Sequence, residues 1–245
     1  MRADRAEPSW AAQVTGDSVR NELWQQLPGA ARERLARNAQ RIGLAMGESV
    51  FKAHEPLRAV HFPETAVISR LMHLVDGQAL QTGLIGHKGV AGISILRGIP
   101  MTYDGIVQIA GTAVRIPPQA VSEELRHPGP AHELLSKYAW TILGDSIQTA
   151  ACNSFHPVRQ RCARWLLMMR DVTGRDEFPI TQDLLALMLG VRRATVTRAA
   201  QALQRVGIIG YRHGRLIIRD GRRLEEASCE CYHLMCKARR ELLGR

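Results

Sequence analysis

At 245 residues, 45% hydrophobic and 23% charged, the chain has room for one large or two ordinary domains and can bury a core without disulfide or metal staples. Neither end carries a secretory apolar segment and no apolar run approaches about 18 residues, so a cytoplasmic protein with no membrane partner is expected. The net charge of +10 is uneven: residues 1–155 hold 15 basic and 14 acidic side chains, whereas residues 156–245 hold 18 and 9, an asymmetry that points to a polyanion met by the C-terminal part.

Met1 to about Asp17 mixes Arg, Glu, Pro and Ser without a sustained period, and a flexible tail is expected over residues 1–20. Leu23, Trp24, Leu27, Leu35 and Ala39 then recur at helix-compatible spacings around Pro28-Gly29, which predicts two short helices. From Met46 to Pro118 short apolar runs are punctuated by Gly47, Asp76-Gly77, Gly86, Gly89, Gly98 with Pro100, Asp104-Gly105, Gly111 and Pro117-Pro118. Turn signals at roughly 8 to 12 residues suggest a compact barrel or sandwich rather than an alternating β-α-β sheet.

After His127-Pro128-Gly129-Pro130 the pattern becomes helical, with Leu134, Leu135, Tyr138, Ala139, Ile142, Leu143, Ile147, Ala150 and Ala151 on a broad stripe. A long stripe between two domains either packs on its own domain or meets its copy. The dimer is the reading taken, with Leu135, Tyr138, Ile142, Leu143 and Ile147 at the seam. Phe155-His156-Pro157 ends the stripe, because proline removes a backbone donor and restricts the residue before it, and marks a hinge. A second helix, Val158 to about Val172, has Cys162, Trp165, Leu166 and Met169 on one face and Arg159, Arg161, Arg164 and Arg170 around the rest.

From Pro179 to Gly190 the sequence reads as a short helix begun by Thr181, which can cap the first free amides, and stopped by Gly190. Another helix opens at Val191-Arg192-Arg193, with Val196, Ala199, Ala200, Leu203 and Val206 facing inward and Arg193, Ala194, Thr197, Arg198 and Gln201 outward. Two short helices around a glycine turn, the second basic at its start and apolar behind, form a helix-turn-helix. Arginine can donate two bonds to guanine, and threonine can meet a phosphate or a thymine methyl. Gly207 to Arg219 adds two short strands around Arg212-His213-Gly214, where a wing would touch flanking phosphates. Between Thr181 and Arg219 seven arginines face one acid, Asp183, a net +6. The expected DNA-contacting set is Thr181, Gln182, Arg192, Arg193, Thr195, Thr197, Arg198 and Gln201, with Arg212, His213 and Arg215 in the wing.

The run Ile-Thr-Gln-Asp-Leu through Leu-Gly-Val-Arg-Arg-Ala-Thr-Val-Thr-Arg, with its Gly-Ile-Ile wing, resembles the DNA-binding domain of the Crp/Fnr regulators. His61-Phe62-Pro63-Glu64, Asp76-Gly77, Ile85-Gly86 and Gly89-Val-Ala-Gly92 resemble turns of that family's cyclic-nucleotide-type β-roll, so the resemblance spans about residues 21–225. It implies an α+β protein: a β-roll (double-stranded β-helix) sensor over 21–130, a dimerisation helix over 131–155, a winged helix-turn-helix over 156–225 and a C-terminal helical tail over 226–245. It also implies a homodimeric, non-enzymatic transcription regulator whose partners are double-stranded DNA, its own copy and RNA polymerase. The competing reading is a small-molecule, metal or redox receptor whose basic domain works through protein partners. Groove-reading positions carry over to Arg193, Ala194 and Arg198; Ala194 replaces the Glu often found there and so loses a contact to a cytosine amino group.

The family's nucleotide site uses a Gly-Glu pair for the ribose and an Arg followed by a small polar residue for the phosphate. Here Gly89 to Gly105 lacks the acid, Tyr103-Asp104 stands in the clamp region, and Arg97 is the nearby cation. Asp104 would repel a phosphate, so no cyclic nucleotide is expected. No cysteine precedes Cys152, so the family's N-terminal iron-sulfur cluster is not expected either, and the cofactor and the sensed signal are left open. Cys229, Cys231 and Cys236, with His233 among them, could hold zinc or form a thiol switch, but a C-x-C lacks the usual two-residue spacer and no metal is assigned. His54, His61, His73 and His87 lie in the β-roll and could in principle ligate haem or sense pH, but scattered histidines are more often surface residues and are read so, and no serine, cysteine or carboxylate constellation suggests catalysis.

Overall fold

The computed structural model describes residues 14–244. Of the tail expected over 1–20, residues 1–13 lie outside the described residues, while Val14 and Val19 are buried around a short 3-10 turn at Gly16–Ser18. Asn21 ties this stretch down. Its side chain accepts the Trp24 amide at 2.9 Å, capping α1 (Glu22–Gln25), and donates to the carbonyls of Pro63 and Gly89, both at 2.8 Å. A buried amide that bonds through both ends costs little to bury and fixes three segments at once. After Pro28 comes α2 (Gly29–Ala36), so the two helices expected around Pro28-Gly29 are present.

Seven strands follow: β1 (Gln40–Leu44), β2 (Ser49–Phe51), β3 (Val60–Pro63), β4 (Val67–His73), β5 (Ala79–Ile85), β6 (Asp104–Ile109) and β7 (Gly111–Ile116). They form two antiparallel sheets, ordered β1-β7-β3 and β2-β6-β4-β5. The sheets share one core, to which the first gives Phe62, Val114 and Ile116 and the second gives Ile68, Ile85 and Val107. This is the β-roll. His61, read from the sequence as a surface residue, lies in β3 and is buried, because every position of that short strand is covered.

α3 (Pro118–Glu124) leads to α4 (Pro130–Phe155), a 26-residue helix with proline in its first turn, where a missing amide proton costs nothing. It ends at His156, whose backbone is extended as the following Pro157 requires. The apolar stripe of α4 splits in two. Leu135 and Tyr138, expected at a dimer seam, are instead buried in the roll's own core, and Ile142 is partly buried against it. The reason is angular: the stripe is wider than one contact, and the roll takes one edge of it. Trp140, Leu143 and Ile147, exposed by 63%, 46% and 62%, form the other edge.

Beyond the hinge are α5 (Val158–Thr173), β8 (Glu177–Pro179), α6 (Gln182–Leu189), α7 (Arg193–Arg205), β9 (Ile209–Arg212), β10 (Arg215–Ile218), α8 (Gly221–Ala227) and α9 (Cys231–Leu243). The three strands make a small sheet in the order β8-β10-β9, so the wing has a third strand ahead of α6. The C-terminal helix α9 packs along α4, with Arg239 paired to Asp145 at 2.5 Å.

The winged unit rests on the outer face of the roll's second sheet. Val67, Leu71 and Leu84 join Trp165, Leu166, Met169, Met188 and Leu189 in a second core. At its centre Ser69, Gln81 and Gln108 bond to one another, and Trp165 Nε1–H donates to Gln81 Oε1. The arginine face expected on α5 is only half outward: Arg161 and Arg164 are buried, Arg161 bonding the Leu189 carbonyl and Arg164 lying against Thr149, Met168 and Met235. Both sides of α5 are covered, one by the winged core and the other by α4 and α9.

Candidate nucleic-acid interface

Local chemistry builds the helix pair. Thr181 accepts the Leu184 amide at 3.1 Å and starts α6. Gly190 closes it at φ 61, a left-handed geometry that a side chain disfavours. Leu185, Ala186, Met188 and Leu189 of α6 meet Val196, Ala199, Ala200 and Leu203 of α7. Val206, placed inward by the helical period, is exposed, because α7 has ended at Arg205. The helices are also joined by a polar contact: Thr197 Oγ1 donates to Gln182 Oε1 at 2.6 Å and to the Arg193 carbonyl at 3.1 Å.

The outward face of α7 carries the expected residues. Arg192, Arg193, Arg198 and Gln201 are exposed, while Thr195 and Thr197 are half-buried. Arg193 reaches Asp183 at 3.2 Å, both side chains largely exposed, and a pair of that kind contributes no more than about 1 kcal/mol. It is weak enough for a base edge or phosphate to displace. Thr181 is exposed at the start of α6, with half-buried Gln182 beside it.

In the wing, β9 and β10 pair Arg212 with Arg215 across a two-residue turn. His213 at φ 50 and Gly214 at φ 74 both lie in the left-handed region, as a type I′ turn requires. Arg212, His213 and Arg215 are thereby exposed at one tip, and Arg215 is held by Glu177 of β8.

The roll interior differs from what the nucleotide reading assumes. Arg97 is exposed. The buried cation is Arg70, which donates to Ser146 Oγ at 3.3 Å and the Thr82 carbonyl at 3.1 Å and stacks 5.7 Å from the Tyr103 ring. A Cβ on Gly83 would stand 1.9 Å from the Arg70 guanidinium, so glycine makes the space that arginine fills. Beside it, a cavity of about 630 Å³ lies between the roll, α4, α5 and α9, lined in part by Arg70, Lys88, Tyr138, Asp171 and Arg239. Burial pushes the Tyr138 hydroxyl up to about 12, so it stays a neutral hydrogen-bonding group there. No acidic partner to Arg70 was visible in the sequence because its partners are a ring, a hydroxyl and a carbonyl.

The cysteines fall out differently from the C-terminal trio expected. Cys229 and Cys231 sit with Cys152 and His156 at the end of α4, all four ligand atoms within 4.8 Å of one another. Cys236 lies apart, on the cavity wall. Part of the signal was present in the sequence, since residues 152 and 156 are four apart at the end of the apolar stripe and residues 229 and 231 are two apart.

Residues 160–227 match the Crp-like helix-turn-helix domain family. No curated protein matches the chain. Among solved structures, a Crp/Fnr-family putative transcriptional regulator from Eubacterium rectale is 18% identical over 84% of this chain and 97% of its own, with a TM-score of 0.66. FixK2 from Bradyrhizobium japonicum is 17% identical over 78% and 98%, with a TM-score of 0.68. The c-di-GMP-responsive regulator CLP from Xanthomonas campestris is 16% identical over 78% and 99%, with a TM-score of 0.63.

Proposed function

We propose that this chain, which carries a Crp-like helix-turn-helix domain on the fold of Crp/Fnr-type transcription regulators, binds a two-fold related operator as a homodimer. The exposed basic face of α7 supports this reading above all, since Arg193, Arg198 and Gln201 stand clear of protein partners that would bury them. Arg193 and Arg198 read base edges in the major groove; Arg192, Arg212 and Arg215 neutralise phosphates; Thr181, Gln182, Thr195, Thr197 and His213 complete the contact surface. The unpartnered edge of α4, Trp140, Leu143 and Ile147, joins two protomers so that the half-sites lie about 34–36 Å apart, one turn of DNA.

The roll and its adjoining cavity take the input, and polymerase contact would follow from where the operator lies. Footprinting combined with affinity measured over ionic strength tests the reading. Three phosphate-neutralising arginines per protomer predict a loss of about a thousandfold between about 50 and 200 mM salt. Flat, sequence-blind binding would overturn it.

A further inference from the structure

Four groups with metal-ligand chemistry converge at the hinge between α4 and α5. Cys152 and His156 come from the last turn of α4 and its cap, Cys229 from the link between α8 and α9, and Cys231 from the first position of α9. Cys152 Sγ and Cys229 Sγ are 3.4 Å apart, and Cys231 Sγ is 3.4 Å from His156 Nδ1. The edge of a tetrahedron with zinc–sulfur arms of about 2.3 Å and a zinc–nitrogen arm of about 2.0 Å is roughly 3.5–3.8 Å. Two edges of the group are therefore already close to that length, and no ligand atom lies more than 4.8 Å from another. All five cysteines of the chain are free thiols, and the three here are buried.

The surroundings are those of a ligand set rather than of packed thiols. His156 Nε2 lies 3.1 Å from Glu230 Oε1. A carboxylate can only accept, so Nε2 carries the proton and Nδ1 directs its lone pair at the cluster, the arrangement by which a carboxylate orients a metal-bound imidazole. Gln148 Nε2–H donates to Cys231 Sγ at 3.0 Å, a bond suited to a thiolate. Arg161 and Arg164 are buried close enough to Cys152 for their charges to act on it, have no carboxylate partner among the described residues, and each has an Nε with no hydrogen-bond partner. Two buried cations held by neutral partners, with no carboxylate beside them, are costly unless an anion offsets them. Three thiolates around a divalent ion carry one net negative charge.

We propose that Cys152, His156, Cys229 and Cys231 bind one zinc ion, which pins the end of α4 to the start of α9 across the hinge that carries the winged domain. Binding expels the thiol protons to solvent and forms three zinc–sulfur bonds and one zinc–nitrogen bond, with no redox change. The site is closed and four-coordinate, a structural arrangement with no position for substrate.

The test uses the full chain, purified with its thiols reduced, and measures bound metal by mass spectrometry, zinc affinity by competition with a chromogenic chelator, and the visible spectrum after cobalt(II) substitution. The expected result is one zinc per chain and a cobalt spectrum with tetrahedral d–d bands and thiolate charge transfer. Cys229→Ser and His156→Ala lose tight binding, Cys236→Ser keeps it, and Glu230→Gln binds about 10–100-fold more weakly. Because the buried Cys229 variant could misfold, circular dichroism is read alongside, and the Glu230 variant, altered at an exposed carboxylate, carries the comparison. Metal-free protein that takes up no zinc, an iron-sulfur spectrum in place of zinc, a Cys152–Cys229 disulfide in the folded chain, or equal zinc binding by wild type and Glu230→Gln would each overturn the proposal.

Discussion

Ile147→Ala separates the two edges of α4. Ile147 is 62% exposed in the single chain. Full burial of an isoleucine side chain is worth about 1.5–3 kcal/mol, so covering the exposed share is worth roughly 1–2 kcal/mol, and two-fold symmetry counts it twice. Truncation to alanine removes most of that, about 2–3 kcal/mol per dimer, which weakens self-association about 30- to 150-fold. Sedimentation equilibrium across a concentration series gives the constant, and affinity for a full site against a half-site gives its consequence on DNA. Monomer stability should hardly move. Leu135→Ala should do the opposite, since its side chain is buried in the roll core: the fold loses about 2–5 kcal/mol, with dimerisation affected only through unfolding. Unchanged self-association of Ile147→Ala, with a Leu135→Ala protein that folds normally but no longer dimerises, would refute this division of the stripe.

Arg193→Ala should relax preference at one base pair at a cost of about 1–3 kcal/mol, whereas Arg212→Ala should weaken all sequences alike; binding to a panel of single-substituted operators distinguishes them, and equal patterns would contradict the roles. His61 gives a pH dependence of stability. Burial, aided by the charge of Arg115, lowers its titration from 6.5 to about 4. Between those values the unfolded chain takes up a proton that the folded chain refuses, so stability present above pH 6.5 is lost as pH falls toward 4, by at most about 3 kcal/mol. Urea unfolding of wild type and His61→Phe over that range should show the flatter profile in the variant, and parallel profiles would remove His61 from the account.

The helix-turn-helix was legible because its signals are local. Thr181 caps, Gly190 turns, and the period of Val196, Ala199, Ala200 and Leu203 is confined to about two turns of one helix. The roll was legible as a texture of turns, while its strand pairing was not, since β1 pairs with β7 across some seventy residues. The stripe on α4 showed a helix but not its two environments, because apolar spacing is the same whether the neighbour is the roll or a second chain. Buried charge was the least visible. Arg70, Arg161 and Arg164 have the sequence appearance of surface residues, and only tertiary neighbours reveal a ring, a carbonyl or a group of thiols beside them. The metal-ligand group escaped for a related reason, since its two halves lie 77 residues apart.

The contact between the winged unit and the outer face of the roll bears on how this molecule behaves as a folding unit. A roll cut off at Pro157 would leave Val67, Leu71 and Leu84 in water and strip the Trp165 donor from Gln81, on a sheet whose edge strand β5 would then be open to strand addition. The two halves are therefore expected to melt as one cooperative body. Ser69, Gln81 and Gln108 bond to one another within the roll's own sheet, so separating the winged unit from the roll breaks the Trp165 bond to Gln81 and exposes that buried polar group to water.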